Sequence, residues 1–258
     1  MMRTIALAML AALWLAGPAR GDANLEIDQI VDGAYLRDSA KWADIIDLTM
    51  EAESYGRKLK GDGRVDEEKK SIRTYFLRDT LFKEEIHELY LDGVRQDSLE
   101  ILKLLKDDAD RRKKGRMRNA SINPLRPFYP SQRPNYEFIL HGLETKQDYT
   151  CYHVTANCLI DDDQLLEGEY WFETDSLNLV RAEFCPAKLP TTIRQLDMEM
   201  DYAPTPAGYW LQTRFHLRGG GKALLFISFN FEVLEIYSRH AVKRGLPDSF
   251  FMEATDEK

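Results

Sequence analysis

The second half of the chain alternates apolar and polar residues in short segments that end at turn-forming residues. The pattern is clearest at 197–202, where Met198, Met200 and Tyr202 share one parity and acidic residues take the other. Successive side chains of a strand point to opposite faces, so this spacing predicts strands with one apolar and one polar face. Similar segments recur between Tyr136 and Val233. The chain is therefore predicted to form an antiparallel sheet curved around something apolar.

The first half mixes strands with helical segments. Residues 25–40 have apolar positions near helical spacing and predict a helix, and residues 42–55 are predicted to form a long strand. Strands are also predicted at 71–78 and 82–91. From Asp97, a capping residue, an early acid and a late basic run before Gly115 predict a second helix.

Three further segments are assigned from their turn residues. The proline-rich segment 119–134 is predicted to be an extended connector anchored by Phe128 and Tyr129. The glycine run 219–221 is predicted to form a tight hairpin turn, because glycine tolerates turn conformations. The residues after Arg244 are predicted to be a tail.

The N-terminus has a positive start, a short apolar run and small residues around Pro18. These features are typical of a secretory signal peptide, cut before Asp22 or, alternatively, after Ala23. The apolar run is shorter than the ~20 residues that a spanning helix needs, which disfavours the alternative of a membrane anchor. No cysteine follows it for lipoprotein acylation. We expect a periplasmic protein with a signal peptide at 1–21, a single domain at 22–244 and a tail at 245–258.

Net charge and cysteine placement bear on possible partners, on a disulfide and on metal binding. The net charge of -8 disfavours nucleic acid and anionic membrane surfaces as partners. The predicted hairpins place Cys158 and Cys185 opposite Leu166 on flanking strands, ~9–10 Å apart, so a disulfide between them requires the strand ends to curl together. No Cys-x-x-Cys or paired-histidine motif indicates a metal site.

The sequence contains no compact catalytic motif. Its five histidines are scattered, and there is no Gly-x-Ser-x-Gly nucleophile elbow. We therefore expect no catalytic residues, no cofactor and no enzymatic activity. The open alternative is a hydrolase whose active site is assembled from distant residues.

The sequence of one predicted hairpin resembles a motif of a known protein family. Residues 167–175 read Glu-Gly-Glu-Tyr-Trp-Phe-Glu-Thr-Asp and precede the alternating segment 179–184. This resembles the Gly-x-x-Trp-x-Asp hairpin of the outer-membrane lipoprotein-sorting superfamily, the LolA/LolB-like proteins, with Glu173 in place of the usual Asp. The segments 201–210 and 231–237 resemble later parts of that family.

The resemblance implies an α+β fold: an open antiparallel half β-barrel of about eleven strands, with helices packed on the concave face. Relatives hold acyl chains of lipoproteins or other lipids in the hollow as they cross the periplasm. Because each exposed methylene costs ~0.8 kcal/mol in water, a soluble carrier needs such an apolar sleeve. The expected partners are lipid or lipoprotein acyl chains.

The apolar parity of the predicted strands supplies the candidate lipid-binding residues. They are Tyr136, Phe138, Leu196, Met198, Met200, Tyr202, Phe215, Leu225, Ile227, Phe229 and Phe231. Leu99, Leu102 and Leu105 of the second helix are predicted to form a lid. The alternative is that this face is an ordinary core, and that the protein is an envelope protein-binding or stress-sensing module of the same fold.

Overall fold

The computed structural model describes residues 25–78, 81–113, 123–223 and 227–252, without the side chains of 108–113, 223, 227 and 252. The helices are α1 (Ile27–Asp44), α2 (Ser98–Lys113) and α3 (Asp248–Met252). The strands are β1 (Leu48–Leu59), β2 (Val65–Arg78), β3 (Leu81–Leu91), β4 (Val94–Arg95), β5 (Tyr136–Lys146), β6 (Tyr149–Cys158), β7 (Leu166–Glu173), β8 (Leu179–Pro186), β9 (Ile193–Pro204), β10 (Trp210–Ala223) and β11 (Ile227–Val242). The predicted signal peptide lies outside the described residues.

In the described part of the chain, the eleven strands form one antiparallel sheet in the order β4-β3-β2-β1-β11-β10-β9-β8-β7-β6-β5. The pairing of β1 with β11 joins the N-terminal strands to the C-terminal ones. The sheet ends at β4 and β5, which do not pair with each other, so it is open and not a closed barrel. The predicted open antiparallel sheet of about eleven strands is confirmed.

The two predicted helices are present, with one boundary displaced. Helix α1 begins at a reciprocal capping box between Glu26 and Gln29 and continues to Asp44. The strand predicted from Trp42 therefore starts only at Leu48. Helix α2 is capped as predicted, because the Asp97 carboxylate accepts hydrogen bonds from two backbone N–H groups of its first turn, at 2.9 and 3.0 Å.

The glycine run at 219–221 does not form the predicted hairpin turn. It lies within β10, where Gly219 pairs with Phe231 and Gly221 pairs with Phe229. A Cβ atom on Gly219 would lie 2.3 Å from the Phe231 ring, and one on Gly221 would lie 2.1 Å from the Thr192 carbonyl oxygen. Glycine is needed here because a neighbouring ring and a neighbouring backbone occupy the space of a side chain.

The main core lies on the face of the sheet that α1 covers, which we call the inner face. Ile30 and Val31 of α1 are buried against strands β5–β9 together with Phe128 of the connector. Phe128 is fully buried, and its ring makes edge-to-face contacts with Tyr170 and Phe172, with centroids 4.9 and 5.1 Å apart. Phe128 is therefore an anchor, as predicted, although the connector forms short 3₁₀ turns around it. The concave space on the inner face, which we call the hollow, is therefore filled over strands β5–β9 by the protein's own side chains.

The segment predicted as a C-terminal tail is attached to the domain over its described part. The Phe250 ring of α3 packs edge-on against Phe76 of β2, with centroids 4.8 Å apart. The backbone N–H of Leu246 donates to the Asp47 carboxylate at 3.0 Å. These contacts tie residues 245–252 to β2 and to the loop before β1.

Candidate functional site

A cavity of about 790 Å³ opens on the inner face, beside the filled half of the hollow. The C-terminal half of α1 and the loop after it form one wall, with Trp42, Ile45 and Ile46. Strands β1, β2, β3, β9, β10 and β11 form the other. Its apolar side chains on the sheet include Leu48, Met50, Leu77, Phe82, Met200, Leu211 and Phe215. The volume lies in the range of ~300–1,000 Å³ typical of small-molecule sites.

The strand register places the predicted lipid-binding residues of β9 and β10 on the inner face. Met200 pairs with Phe215, next to the pair of Met198 and Leu217. Met200, Tyr202 and Phe215 line the cavity. Three of the eleven predicted residues are therefore in its wall.

The other predicted residues lie elsewhere. Tyr136, Phe138 and Met198 pack in the filled core. Leu196 and Phe231 both pair with Gly219 at the far end of the inner face, where Phe229 and Phe231 stack on each other outside the cavity wall. Leu225 lies outside the described residues, and Ile227 belongs to β11 without a described side chain.

The predicted lid helix does not cover the cavity in this structure. Leu99 is 75% exposed and Leu102 is 62% exposed, whereas Leu105 is half-buried. The cavity wall contains no described residue of α2. The helix that closes part of the hollow is α1.

A polar network, which the sequence analysis missed, crosses the floor of the cavity. Strand β1 presents only small residues there, since Ala52, Ser54 and Gly56 share the inner face. Their size leaves room for side chains of the flanking strands β2 and β11 to meet above β1. Tyr75 of β2 and Tyr237 of β11 approach to 6.3 Å between ring centroids.

Glu235 of β11 accepts hydrogen bonds from both tyrosines. The Tyr75 hydroxyl donates to Oε1 at 3.2 Å, and the Tyr237 hydroxyl donates to Oε2 at 2.5 Å. Burial raises the pKa of both tyrosine hydroxyls above the usual 10, so they remain protonated donors at neutral pH. Tyr75, Glu235 and Tyr237 all face the cavity.

Arg73 continues the network toward β3. Its Nη1 lies 2.6 Å from the Glu84 carboxylate, and the two side chains are only 12% and 7% exposed. Arg73 also donates to the Tyr75 hydroxyl at 3.2 Å and, through Nε, to Ser71 at 3.0 Å. Among the described residues, the network therefore joins the Arg73 guanidinium to the Glu84 carboxylate and, through Tyr75, to Glu235.

Sequence alone contained a signal for this network. Residues 229, 231, 233, 235 and 237 share one parity, so Glu235 occupies an inward position in an apolar series. Arg73 likewise shares the parity of Tyr75 and Leu77 on β2. A charged residue at an inward strand position indicates a buried partner or a binding site.

The candidate disulfide is not formed, and all three cysteines are free thiols. Cys185 pairs with Glu167 and not with Leu166 as predicted, a shift of one residue that turns its side chain to the outer face. Cys158 packs against the inner core. Burial raises the pKa of both thiols above the usual 9, which disfavours the reactive thiolate form.

The described residues contain neither a candidate membrane-spanning helix nor a candidate metal-binding cluster. In residues 25–78, 81–113, 123–223 and 227–252, no helix combines the length and apolar character needed to cross a bilayer. The same ranges contain no group of three or more His, Cys, Asp or Glu side chains placed to hold a metal ion.

Comparison with known proteins gives similarities of structure at low sequence identity. A DUF1329 family protein from Desulfovibrio piger is 14% identical, covers 88% of this chain and 98% of its own, and has a TM-score of 0.41. A putative outer membrane lipoprotein-sorting protein domain from Vibrio parahaemolyticus is also 14% identical, with coverages of 86% and 95% and a TM-score of 0.40.

A LolA superfamily protein from Nitrosomonas europaea is 12% identical, with coverages of 79% and 89% and a TM-score of 0.31. A member of the superfamily that the 167–175 hairpin resembles is therefore among the solved structures that match this chain. At these identities the likeness concerns fold alone. No protein-family model and no curated protein matches the sequence.

Proposed function

We propose that the protein is a non-enzymatic carrier that binds the acyl chain of a lipid or lipoprotein in the apolar cavity of the inner face. The observation that carries this proposal is the unfilled space of about 790 Å³ beside a well-packed core. A protein interior is normally close-packed, so a space of this size lined by apolar side chains favours an apolar ligand.

The energetics suit reversible transport. Burying ten methylene groups is worth about 8 kcal/mol at ~0.8 kcal/mol each. Because association costs at least about 4 kcal/mol in lost freedom, at most about 4 kcal/mol of this gain remains, so the net affinity is at most moderate. A carrier has to release its cargo, and a moderate affinity permits release.

In this proposal α1 is a fixed wall of the cavity. Arg133 donates to the backbone carbonyl of Val31 at 3.3 Å, and the Tyr129 hydroxyl donates to the buried Asp38 carboxylate at 3.1 Å. Cargo would then enter beside the helix, past Trp42 and Ile46, which are 44% and 58% exposed.

Helix α2 is the proposed movable cover. Its Leu99 and Leu102 side chains are largely exposed, and contact with a bound chain would shield them from water. The sequence supports export by the proposed signal peptide at 1–21, which would place the carrier in the periplasm.

Purification without detergent followed by native mass spectrometry tests the proposal. We expect co-purified acyl compounds, or stoichiometric binding of an added fluorescent fatty acid. A protein that stays empty and binds no added acyl compound would contradict the carrier function and favour an envelope protein-binding module. Turnover of ester substrates would instead indicate an enzyme.

A pair of variants locates the binding site. Met50→Glu places a charge in the cavity wall and should weaken acyl binding about tenfold or more, because a carboxylate is poorly solvated beside a hydrocarbon chain. Ile236→Glu makes the same change on the outer face, where Ile236 is 41% exposed, and should leave binding unchanged. Equal binding by both variants would place the ligand elsewhere.

A further inference from the structure

Glu235 on the cavity floor forms no salt bridge within the part of the chain that the structure describes. Within the part of the chain that the structure describes, the Glu235 oxygens are hydrogen-bonded only by the hydroxyls of Tyr75 and Tyr237. Hydroxyl donors stabilise a carboxylate but do not neutralise its charge. A half-buried carboxylate therefore faces a cavity whose sheet wall is otherwise largely apolar.

The nearby cations are engaged elsewhere. Arg73 forms its salt bridge with Glu84 at 2.6 Å, donates to the Tyr75 hydroxyl and attracts Glu235 only at longer range. On the opposite wall, Lys41 pairs with Asp38 at 2.9 Å. The exposed Arg37 of the same wall donates to an asparagine side chain.

We propose that the cavity selects amphiphiles that carry a protonated amine, with the ammonium group paired to Glu235. This inference rests on the proposed acyl-binding function and names the chemical class of the ligand. The alkyl chain would lie along Met50, Leu77 and Phe215, which line the same cavity. An ammonium would donate hydrogen bonds to the Glu235 carboxylate and place a positive charge directly beside it.

The same geometry disfavours other head groups. A fatty-acid carboxylate next to Glu235 would add a second negative charge at low dielectric, which is unfavourable. An uncharged alcohol could donate one hydrogen bond to Glu235 but would leave its charge unpaired. The expected order of affinity is therefore ammonium, then alcohol, then carboxylate.

Competition binding with three dodecyl compounds tests this order. Dodecylammonium, dodecanol and dodecanoate would each displace a bound fluorescent apolar dye at pH 7 from the full-length mature protein. We expect dodecylammonium to bind about tenfold or more tightly than dodecanol, the ratio that one charge-assisted hydrogen bond supplies. Dodecanoate should bind most weakly.

Glu235→Gln should reduce the preference for dodecylammonium over dodecanol to about one, chiefly by weakening dodecylammonium, since the Gln amide oxygen can still accept the alcohol hydrogen bond. Glu53→Gln is the matched control, because Glu53 also accepts a tyrosine hydroxyl, at 2.7 Å, but is exposed on the outer face of β1. It changes the net charge equally and should keep the preference. Tyr237→Phe leaves the carboxylate in place and should also retain a preference for the amine.

The outcomes separate this inference from the carrier function. Equal binding of all three compounds, or tighter binding of dodecanoate, would overturn the amine preference and leave acyl binding intact. A preference that survives Glu235→Gln would place the ammonium elsewhere and overturn the assignment. Failure of all three compounds to bind would refute the carrier function and this inference with it.

Discussion

Phe128→Ala is the sharpest test of the filled half of the hollow. Phe128 is fully buried and fixes the connector before β5 against the inner face. Removing its ring loses the transfer energy and leaves a void, which costs about 3–5 kcal/mol for a Phe→Ala change in a core. The edge-to-face contacts with Tyr170 and Phe172 put the expected loss at the upper end of that range.

Urea unfolding followed by circular dichroism measures this loss directly. Since domains are stable by about 5–15 kcal/mol in total, the variant should show a clearly lower midpoint. Leu102→Ala is the control, because Leu102 is 62% exposed and should change stability by less than about 0.5 kcal/mol. A loss below about 1 kcal/mol in Phe128→Ala would refute the packing argument.

Three further predictions concern the backbone, pH and α1. Gly221→Ala should destabilise the protein by about 1–3 kcal/mol in the same unfolding assay, since its Cβ would lie 2.1 Å from the Thr192 carbonyl oxygen. Gly56→Ala is the control and should cost much less stability, because its Cβ would meet nothing closer than 3.9 Å. Burial lowers the pKa of His240 from 6.5 in the folded protein, so on acidification the unfolded chain takes up a proton at this histidine before the folded protein does. Stability should therefore fall as pH drops through 6.5. In thermal melts, His240→Gln should make stability depend less on pH in this range. Arg133→Ala removes the hydrogen bonds from the connector to Asp32 and to the Val31 carbonyl of α1 and should speed amide hydrogen exchange in α1 while the exchange of the sheet stays unchanged.

Each of these three predictions has a result that would contradict it. Equal stability losses in Gly221→Ala and Gly56→Ala would show that close approach is not the reason for glycine in β10. An unchanged pH slope in His240→Gln would remove the histidine from the acid response. Unaltered exchange in Arg133→Ala would mean that apolar packing alone holds α1.

The sheet was predictable because most of its strands have one face in an apolar environment and the other in water. Such strands keep the period-two pattern whatever surrounds them. The period alone does not distinguish a turn glycine from a strand glycine that faces a ring, which is why 219–221 was predicted wrongly. It also fails where apolar residues fit both periods, as in the Trp42 region at the end of α1.

The cavity itself was not predictable from the pattern. Met198 and Met200 are neighbours on one face, yet Met198 packs in the core and Met200 also reaches the cavity wall. The difference depends on which residues of α1 and the connector lie above each position. Those contacts join residues far apart in sequence, and alternation along one strand contains no information about them.

The division of the hollow has a consequence for stability. Ile30, Val31 and Phe128 fill the side formed by β5–β9, whereas the side formed by β1, β2, β10 and β11 holds the cavity. Because the close packing of these core side chains supplies stability on one side, the ligand exchange proposed for the other side need not unfold the domain. The polar network around Glu235 lies on the cavity side. A half-buried charge is tolerable there, since the open cavity leaves it accessible to water.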